Sequence, residues 1–497
     1  MESSTFDLTH EKTLSMDMGK LVPIMLEEIL PGDKFEVKTD MLVRIAPMLA
    51  PMMHRVNVYT HYFFVPSRLL MTDWESFITG GTSGTDATVH PTLAAPPSTG
   101  FALNTLGDYL GCPTGVADFV VNALPFRAYG EIFNNWYRDQ NLVTAVTVSK
   151  AAGTDTTTNT TLLNRAWEKD RFTSALPWAQ RGTAATVPLG TSAPVTLVPH
   201  TTSTNVMLIR NRVTGALEGS TALSSDGSGQ LTGTGTDVVD PNGRLQADLS
   251  NATAATVNQF RQVIALQKWM EKNARGGARY IESILEHFGI RSSDARLQRP
   301  EYLGGGVSPL TVSEVLQTSA TGASGTPLGA MAGHGYSVPT LHAFKKTFEE
   351  HGYVIGIMSV LPRTKYQQGS SPLWNRRSRL DYPWPTFAGI GEQAILNKEL
   401  YAAHATPDGV FGYAPRFQEM RERESSVHGD FKSTLNYWTM ARIFTADPTL
   451  NSAFVQSDPT KRILADTAGQ ALWVQVLNQV HAKRPLPLVA RPGLMGI

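Results

Sequence analysis

One cysteine in 497 residues, Cys112, leaves no partner for an intrachain disulfide and no thiolate set for zinc. It reads as a small buried hydrophobe in a chain suited to a reducing compartment. Net charge is also missing, because 43 Lys plus Arg balance 43 Asp plus Glu. That excludes a protein coating nucleic acid over its whole surface and leaves local basic patches open. The best apolar run, Tyr353 to Leu361, is far too short to span a bilayer. The amino end, MESSTFDLTHEK, has neither the basic nor the apolar region of a secretory signal. A soluble, unprocessed chain is expected, and the formal sequons at Asn159 and Asn251 are then chance matches.

Catalytic signatures are absent too. Gly304-Gly305-Gly306, in the stretch RPEYLGGGVSPL, is followed by no Gly-Lys-Ser/Thr and completes no GxGxxG. With no Gly-x-Ser-x-Gly elsewhere, the triple glycine reads as a loop needing unusual backbone angles. His10-Glu11 begins like HExxH, but Leu14 stands where the second histidine is required. His54 and His61 lie seven apart on a predicted strand, hence on opposite faces, and cannot share a metal. The acid pairs Glu27-Glu28 and Glu349-Glu350 read as solvated edges. No catalytic residue, cofactor or metal is expected, and the chain does not read as an enzyme.

What is present is turn-rich β sequence. Glycine (42) and proline (30) are both abundant. The turn Pro31-Gly32-Asp33 introduces strands from Lys34 to Val65, and HRVNVYTHYFFV (54–65) alternates with period two. YVIGIMSVL (353–361), apolar on both faces, and LNYWTMARIF (435–444) read as core strands, and LWVQVLNQV (472–480) leans towards strand. One helix is expected after Pro125, with Phe126, Tyr129, Phe133 and Trp136 at helical spacing. A second starts at Thr256, capped with Gln259, breaks at Gly276-Gly277 and stops at Gly289. Between Gly182 and Ala255 there is no Phe, Trp, Tyr or Lys. That segment is either a low-complexity linker or a folded surface excursion that packs against copies of itself.

Arg376, Arg377 and Arg379 lie beside Trp374, Tyr382 and Trp384, and Lys483-Arg484 opens a Pro-rich tail. Cations for phosphates and aromatic faces for unpaired bases are what single-stranded nucleic acid needs, and intersubunit ion pairs explain the same clusters. The aromatic residues of 374–384 could equally form a sugar platform, so a glycan-binding or glycan-cleaving β-sandwich stands as the alternative.

The stretch SSDARLQRPEYLGGGVSP (292–309) closely resembles a signature of the major capsid proteins of the Microviridae, especially the gokushovirus branch. So, in order along the chain, do MGKLVPIMLEEILPGDKF (18–35), LAPMMHRVNVYTHYFFVPSRLL (49–70), LPFRAYGEIFNNWYRDQN (124–141), RFTSALPWAQRG (171–182), QKWMEKNARGGARYIESILEHFGI (267–290) and HAKRPLPLVARPGL (481–494). The resemblance implies a mainly β viral jelly roll, an eight-stranded antiparallel sandwich with long helical and loop insertions. It would be carried by residues 1–181 and 256–497, the latter ending in an extended arm, with 182–255 a surface insertion forming a threefold protrusion. It further implies a T=1 icosahedral shell, built through twofold, threefold and fivefold contacts around circular single-stranded DNA. The virion would be assembled in the bacterial host cytoplasm. A small basic DNA-packaging protein, a scaffold protein and a host receptor, glycan among the choices, are the implied partners. Arg376, Arg377, Arg379, Lys483 and Arg484 are the candidate DNA contacts. A shell without net charge needs small cations or a basic partner to neutralise its genome.

Overall fold

The computed structural model describes residues 3–82, 84–183, 257–277, 279–316 and 331–488, with six short strands between 195 and 247. The chain divides into two units, Met1–Arg181 with Glu271–Ile497, and Gly182–Met270.

In the larger unit eleven strands build two antiparallel sheets. They are β1 (Ser4–Asp7), β2 (His10–Met16), β3 (Val22–Ile29), β4 (Lys34–Ile45), β5 (Val56–Pro66), β6 (Glu301–Pro309), β7 (Thr311–Leu316), β8 (Met331–Ser337), β9 (Thr340–Thr347), β10 (Gly352–Pro362) and β11 (Leu472–Arg484). In the larger sheet β1 and β2 follow one another along β11, which pairs with β4. Strand β4 takes β9 and β8 on its other side, and β7 lies beyond β8. The smaller sheet runs β6-β5-β10-β3. The chain passes from the smaller sheet to the larger at Leu310, between β6 and β7.

Period-two sequence decides which side of each strand is buried. On β4, Phe35, Val37, Met41, Val43 and Ile45 are buried while Lys34, Glu36 and Arg44 are exposed. On β11, Leu472, Val474, Val476, Val480 and Ala482 point inward in the same way. These residues share clusters with Val22 and Ile24 of β3, Val56 and Val58 of β5 and Met358 and Val360 of β10, so the two sheets face each other across one core. A polar pin crosses that core. Thr39 of β4 is hydrogen-bonded to the Tyr62 hydroxyl (2.5 Å) and donates to Asn478 Oδ1 (3.2 Å), while Asn478 Nδ2 donates to the Ile24 carbonyl (3.0 Å). All three side chains are sealed from solvent, and burial pushes the Tyr62 hydroxyl pKa well up.

The smaller sheet is covered on its other face as well. Helix α1 (Leu124–Ile132), with Pro125 in its first turn, continues as a π-helical turn over Phe133–Tyr137. Its Phe126, Tyr129, Ile132 and Phe133 pack with Phe63, Val65, Ile355 and Ile357. Burial on both faces is why every residue of β10 is buried and why its sequence shows no alternation. Helix α2 (Val257–Gly276) and helix α3 (Tyr280–Phe288) are separated at Gly277, and Gly289 caps α3 in the left-handed conformation (φ 70°). The proposed cap at Thr256 lies outside the described residues.

Two sequence expectations are corrected. Gly304–Gly306 are not a loop with unusual angles; they sit within β6, paired with Thr60, His61 and Tyr62 of β5 after a register shift at Tyr302. A Cβ at Gly304 would stand 2.0 Å from the Ala343 carbonyl oxygen, and one at Gly305 2.1 Å from that of Thr60. Close backbone approach, not a turn, requires glycine at 304 and 305. Residues 435–444 are not a strand either: Asn436–Trp438 form a 3-10 turn. Arg462 donates to the Asn436 and Ala441 carbonyls (3.0 and 2.8 Å) and His54 Nδ1 accepts from the Met440 amide (3.2 Å), so side chains take backbone groups that a neighbouring strand would otherwise pair.

In the unit Gly182–Met270 the described strands pair in nested order: Val195–Leu197 with Leu245–Ala247, Ile209–Asn211 with Asp237–Val239, and Ser224–Ser225 with Leu231–Thr232. All three pairings are antiparallel.

Candidate nucleic-acid and assembly surfaces

The segment 371–390 alternates short helical turns, Pro372–Asn375 and Pro385–Phe387, with loop. Asp381 organises it. Its Oδ2 accepts from the amides of Arg377 (2.8 Å) and Ser378 (2.7 Å), and these bonds hold its carboxyl below the ordinary range. Trp384 Nε1 donates to the Arg379 carbonyl (2.8 Å), closing the loop. Arg377 and Arg379 therefore project from a clamped backbone, both exposed. Arg376 differs: its side chain is 8% exposed, 3.5 Å from Glu419 and over the Tyr382 ring at 5.8 Å. The same segment exposes Leu373, Trp374, Leu380, Tyr382, Trp384 and Ile390, with Trp374 at 76%.

At the far end of β11, Lys483 is exposed. Arg484 lies over the Phe35 ring (5.2 Å), donates to the Glu28 carbonyl (2.6 Å) and sits 3.4 Å from Asp33. It ties the end of β11 to the turn between β3 and β4. Burial pushes the Asp33 carboxyl up against the pull of the Leu30 amide and Arg484. The structure thus leaves Arg377, Arg379 and Lys483 facing solvent and gives Arg376 and Arg484 carboxylates of their own chain.

Sequence reasoning missed the buried cations. Arg171, 1% exposed, stands 2.5 Å from Glu399 and 3.7 Å from Glu424. Burial raises the Glu399 carboxyl pKa, opposed by Arg171 and the Leu396 amide. Together with Arg376, Glu419 and Lys432 they line a cavity of about 300 Å³ beneath the 371–390 segment. Arg127 and Asp155 are both fully buried, 2.8 Å apart. Nothing local in a sequence marks a buried arginine, since its carboxylate is supplied by folding.

The remaining titratable groups form no chemical centre among the described residues, which hold no group of three His, Cys, Asp or Glu side chains placed for a metal. His54 is buried before β5, its Nε2 2.6 Å from the Arg363 carbonyl, and burial lowers its pKa to about 4. Glu27 is not solvated as expected: it is largely buried 3.7 Å from His10, and burial pushes its carboxyl up. Glu350 does lie at the surface, paired with Arg68 at 2.6 Å. Cys112 is half-buried against the cluster that covers the smaller sheet, which raises its thiol pKa. No helix among the described residues is long and apolar enough to cross a membrane.

Residues 1–494 match the model of a family described as "Capsid protein (F protein)". The chain is 42% identical over 463 residues to capsid protein VP1 of Bdellovibrio phage phiMH2K, covering 90% of this chain and 86% of that one. It is 34% identical to capsid protein VP1 of Chlamydia phage 1 and 31% identical to that of Spiroplasma virus 4, each over 99% of this chain and 96% of the relative.

Proposed function

This chain belongs to the F-type capsid protein family of the Microviridae, and from that footing we propose that its copies close into a T=1 icosahedral shell around a circular single-stranded DNA genome. The observation that carries the reading is the end-to-end family match on a β-sandwich that covers one sheet with its own insertions and leaves large apolar side chains exposed on loops. Exposed Trp, Tyr and Leu in such numbers are interface chemistry, and a shell gives each chain several neighbours. Residues 182–255, within the unit Gly182–Met270, are proposed as the threefold protrusion and host-attachment element, with a surface receptor, a glycan among the choices, as its ligand. The sugar-platform alternative for the whole protein draws no support from the relatives, all of which are named capsid proteins.

Arg377, Arg379 and Lys483 are proposed to meet genome phosphates, with Arg376 and Arg484 holding the loop and the strand end that carry them. A chain with no net charge leaves most phosphates to small cations or a basic packaging protein. A scaffold protein and assembly in the host cytoplasm complete the proposal. Sedimentation velocity of the purified protein, with electron microscopy of the fastest fraction, tests it. Closed shells or pentameric precursors are expected, alone or with co-expressed viral partners, and a small, defined oligomer that depletes or cleaves glycan under both conditions overturns it.

A further inference from the structure

The outer face of the larger sheet carries exposed and half-buried side chains along β4 and β11, and they follow a pattern. Trp473 of β11 stands directly opposite Arg44 of β4, and Arg44 directly opposite Tyr336 of β8. Trp473 and Tyr336 are 50% and 44% exposed, and Arg44 is exposed between them. Neighbouring strands lie ~4.8 Å apart, so the two aromatic side chains flank the guanidinium at a separation of roughly 10 Å. The His334 ring stacks on that of Tyr336 (6.1 Å, 16°). With Val315 and Val338 these side chains line an open trough of about 670 Å³.

A second feature lies at the other end of the same face. Lys483 stands directly opposite Lys34, both exposed. Like charges in that position destabilise a sheet, and a bound anion relieves the repulsion. The carboxylates of this face already have partners: Glu36 with Lys345 (2.6 Å), Asp40 with Lys38 (3.7 Å), Asp7 beside His481 (3.9 Å) and Glu11 accepting from Gln475 (3.2 Å). Lys34, Arg44 and Lys483 have no carboxylate partner among the described residues.

We propose that this face binds single-stranded DNA, with Lys34 and Lys483 contacting phosphates and with Trp473 and Tyr336, Arg44 between them, stacking unpaired bases. The proposal rests on the genome-contact reading of Lys483 and extends it to four residues with no assigned role. Aromatic faces accept any base, and Arg44 adds both charge and a planar stacking surface, the combination that sequence-tolerant single-strand binding uses. A duplex offers the same phosphates but hides its base faces, so this site discriminates between them where a charged patch alone would not.

The test is fluorescence anisotropy of labelled dT20 and of a 20-base-pair duplex with the full-length soluble subunit across a salt series. Wild type should bind dT20 more tightly than the duplex. Trp473→Ala and Tyr336→Ala should each weaken dT20 binding about tenfold while leaving duplex binding unchanged, and Trp473→Phe should retain most of it. Replacing Lys34 and Lys483 together by Ala should flatten the salt slope by about 1.4, near 0.7 for each phosphate left without its lysine. Unchanged dT20 affinity in the two aromatic variants overturns the proposal. If those variants alter only self-association, the face is a contact between copies and the proposal fails equally. Loss of binding in Arg377→Ala/Arg379→Ala with none in the face variants rejects this site but keeps the broader genome-contact reading, whereas a wild type that does not bind dT20 at 50 mM salt rejects both.

Discussion

His54 and His61 show how burial turns an ordinary residue into a pH dependence. His54 Nε2–H donates to the Arg363 carbonyl while Nδ1 accepts from the Met440 amide, so a second proton would face a donor and the nearby cations Lys365 and Arg462. His61 Nδ1 meets the Tyr137 hydroxyl at 2.8 Å, and burial, with Arg165 nearby, lowers its pKa to about 4 as well. An unfolded histidine titrates near ~6.5, so between that value and pH 4 the unfolded chain binds protons that the folded chain refuses. The stabilisation is complete above about pH 6.5 and is lost as pH falls, by up to ~3 kcal/mol for His54 and less for the partly exposed His61. Urea midpoints of wild type and His54→Gln at pH 7 and pH 4.5 measure it: the wild type should lose more on acidification, and equal losses would refute the account. The triple glycine is a residue-scale matter too. Gly304→Ala drives a methyl against the fixed Ala343 carbonyl and should cost about 3 kcal/mol or prevent folding, while Gly306→Ala meets only the movable Leu341 side chain and should cost less. Thermal melting of the two variants separates them.

At the scale of elements, side-chain hydrogen bonds decide where segments go. Arg127 on α1 is fully buried and donates to Asp155 (2.8 Å) and to the Leu70 and Ala151 carbonyls (2.9 Å each). Burial tends to raise the Asp155 carboxyl pKa, but bonds from Thr158, Arg127 and Thr157 outweigh it and the net shift is downward. The pair joins the helix that covers the smaller sheet to the loop around residue 155. Removing one partner leaves a buried charge alone, so Arg127→Met should cost about 3–5 kcal/mol in urea unfolding, whereas the double variant with Asp155→Asn should recover part of that loss. Arg462 acts similarly on residues 436–441. Period two in LNYWTMARIF does not correspond to alternating burial, since Thr439, Met440 and Ala441 are buried in succession between half-buried neighbours, although Met440 does enter the sandwich core. The segment is nevertheless no strand, because a distant arginine and histidine supply its hydrogen-bond partners. Over these residues both the buried side chains and the backbone's partners are set by the rest of the chain rather than by the local pattern.

For the whole molecule, the question is what the uncovered surfaces meet. Leu373, Trp374, Leu380, Tyr382, Trp384 and Ile390 lie on a loop clamped by Asp381 and Trp384, so the apolar side chains are held out rather than collapsed. Trp374→Ala, which removes an exposed side chain, should change subunit stability by no more than ~0.5 kcal/mol. If the loop contacts a neighbouring copy, the same variant should raise the protein concentration needed for shell formation by tenfold or more, as read by light scattering, because exposed tryptophans are frequent anchors of interfaces. Normal assembly with normal stability would show that this loop faces solvent in the shell.

The sequence alone determined the class of fold, the strands β4, β5, β10 and β11 and the helix breaks, because alternation in β4 and β5, the doubly apolar β10 and the Gly276-Gly277 and Gly289 stops are local consequences of backbone geometry. Its family signatures, spread from residue 18 to residue 494, likewise carried the capsid assignment without any coordinates. Only the tertiary structure decided which cations are spoken for. Arg376 and Arg377 are neighbours of one type, yet one lies buried 3.5 Å from Glu419 and the other projects into solvent. Trp473, Arg44 and Tyr336 are far apart in sequence and meet only because β11, β4 and β8 pair in one register. Periodicity acts between residues a few positions apart, whereas burial of a charge and the lining of a surface depend on partners brought in by long-range pairing, which no local pattern contains.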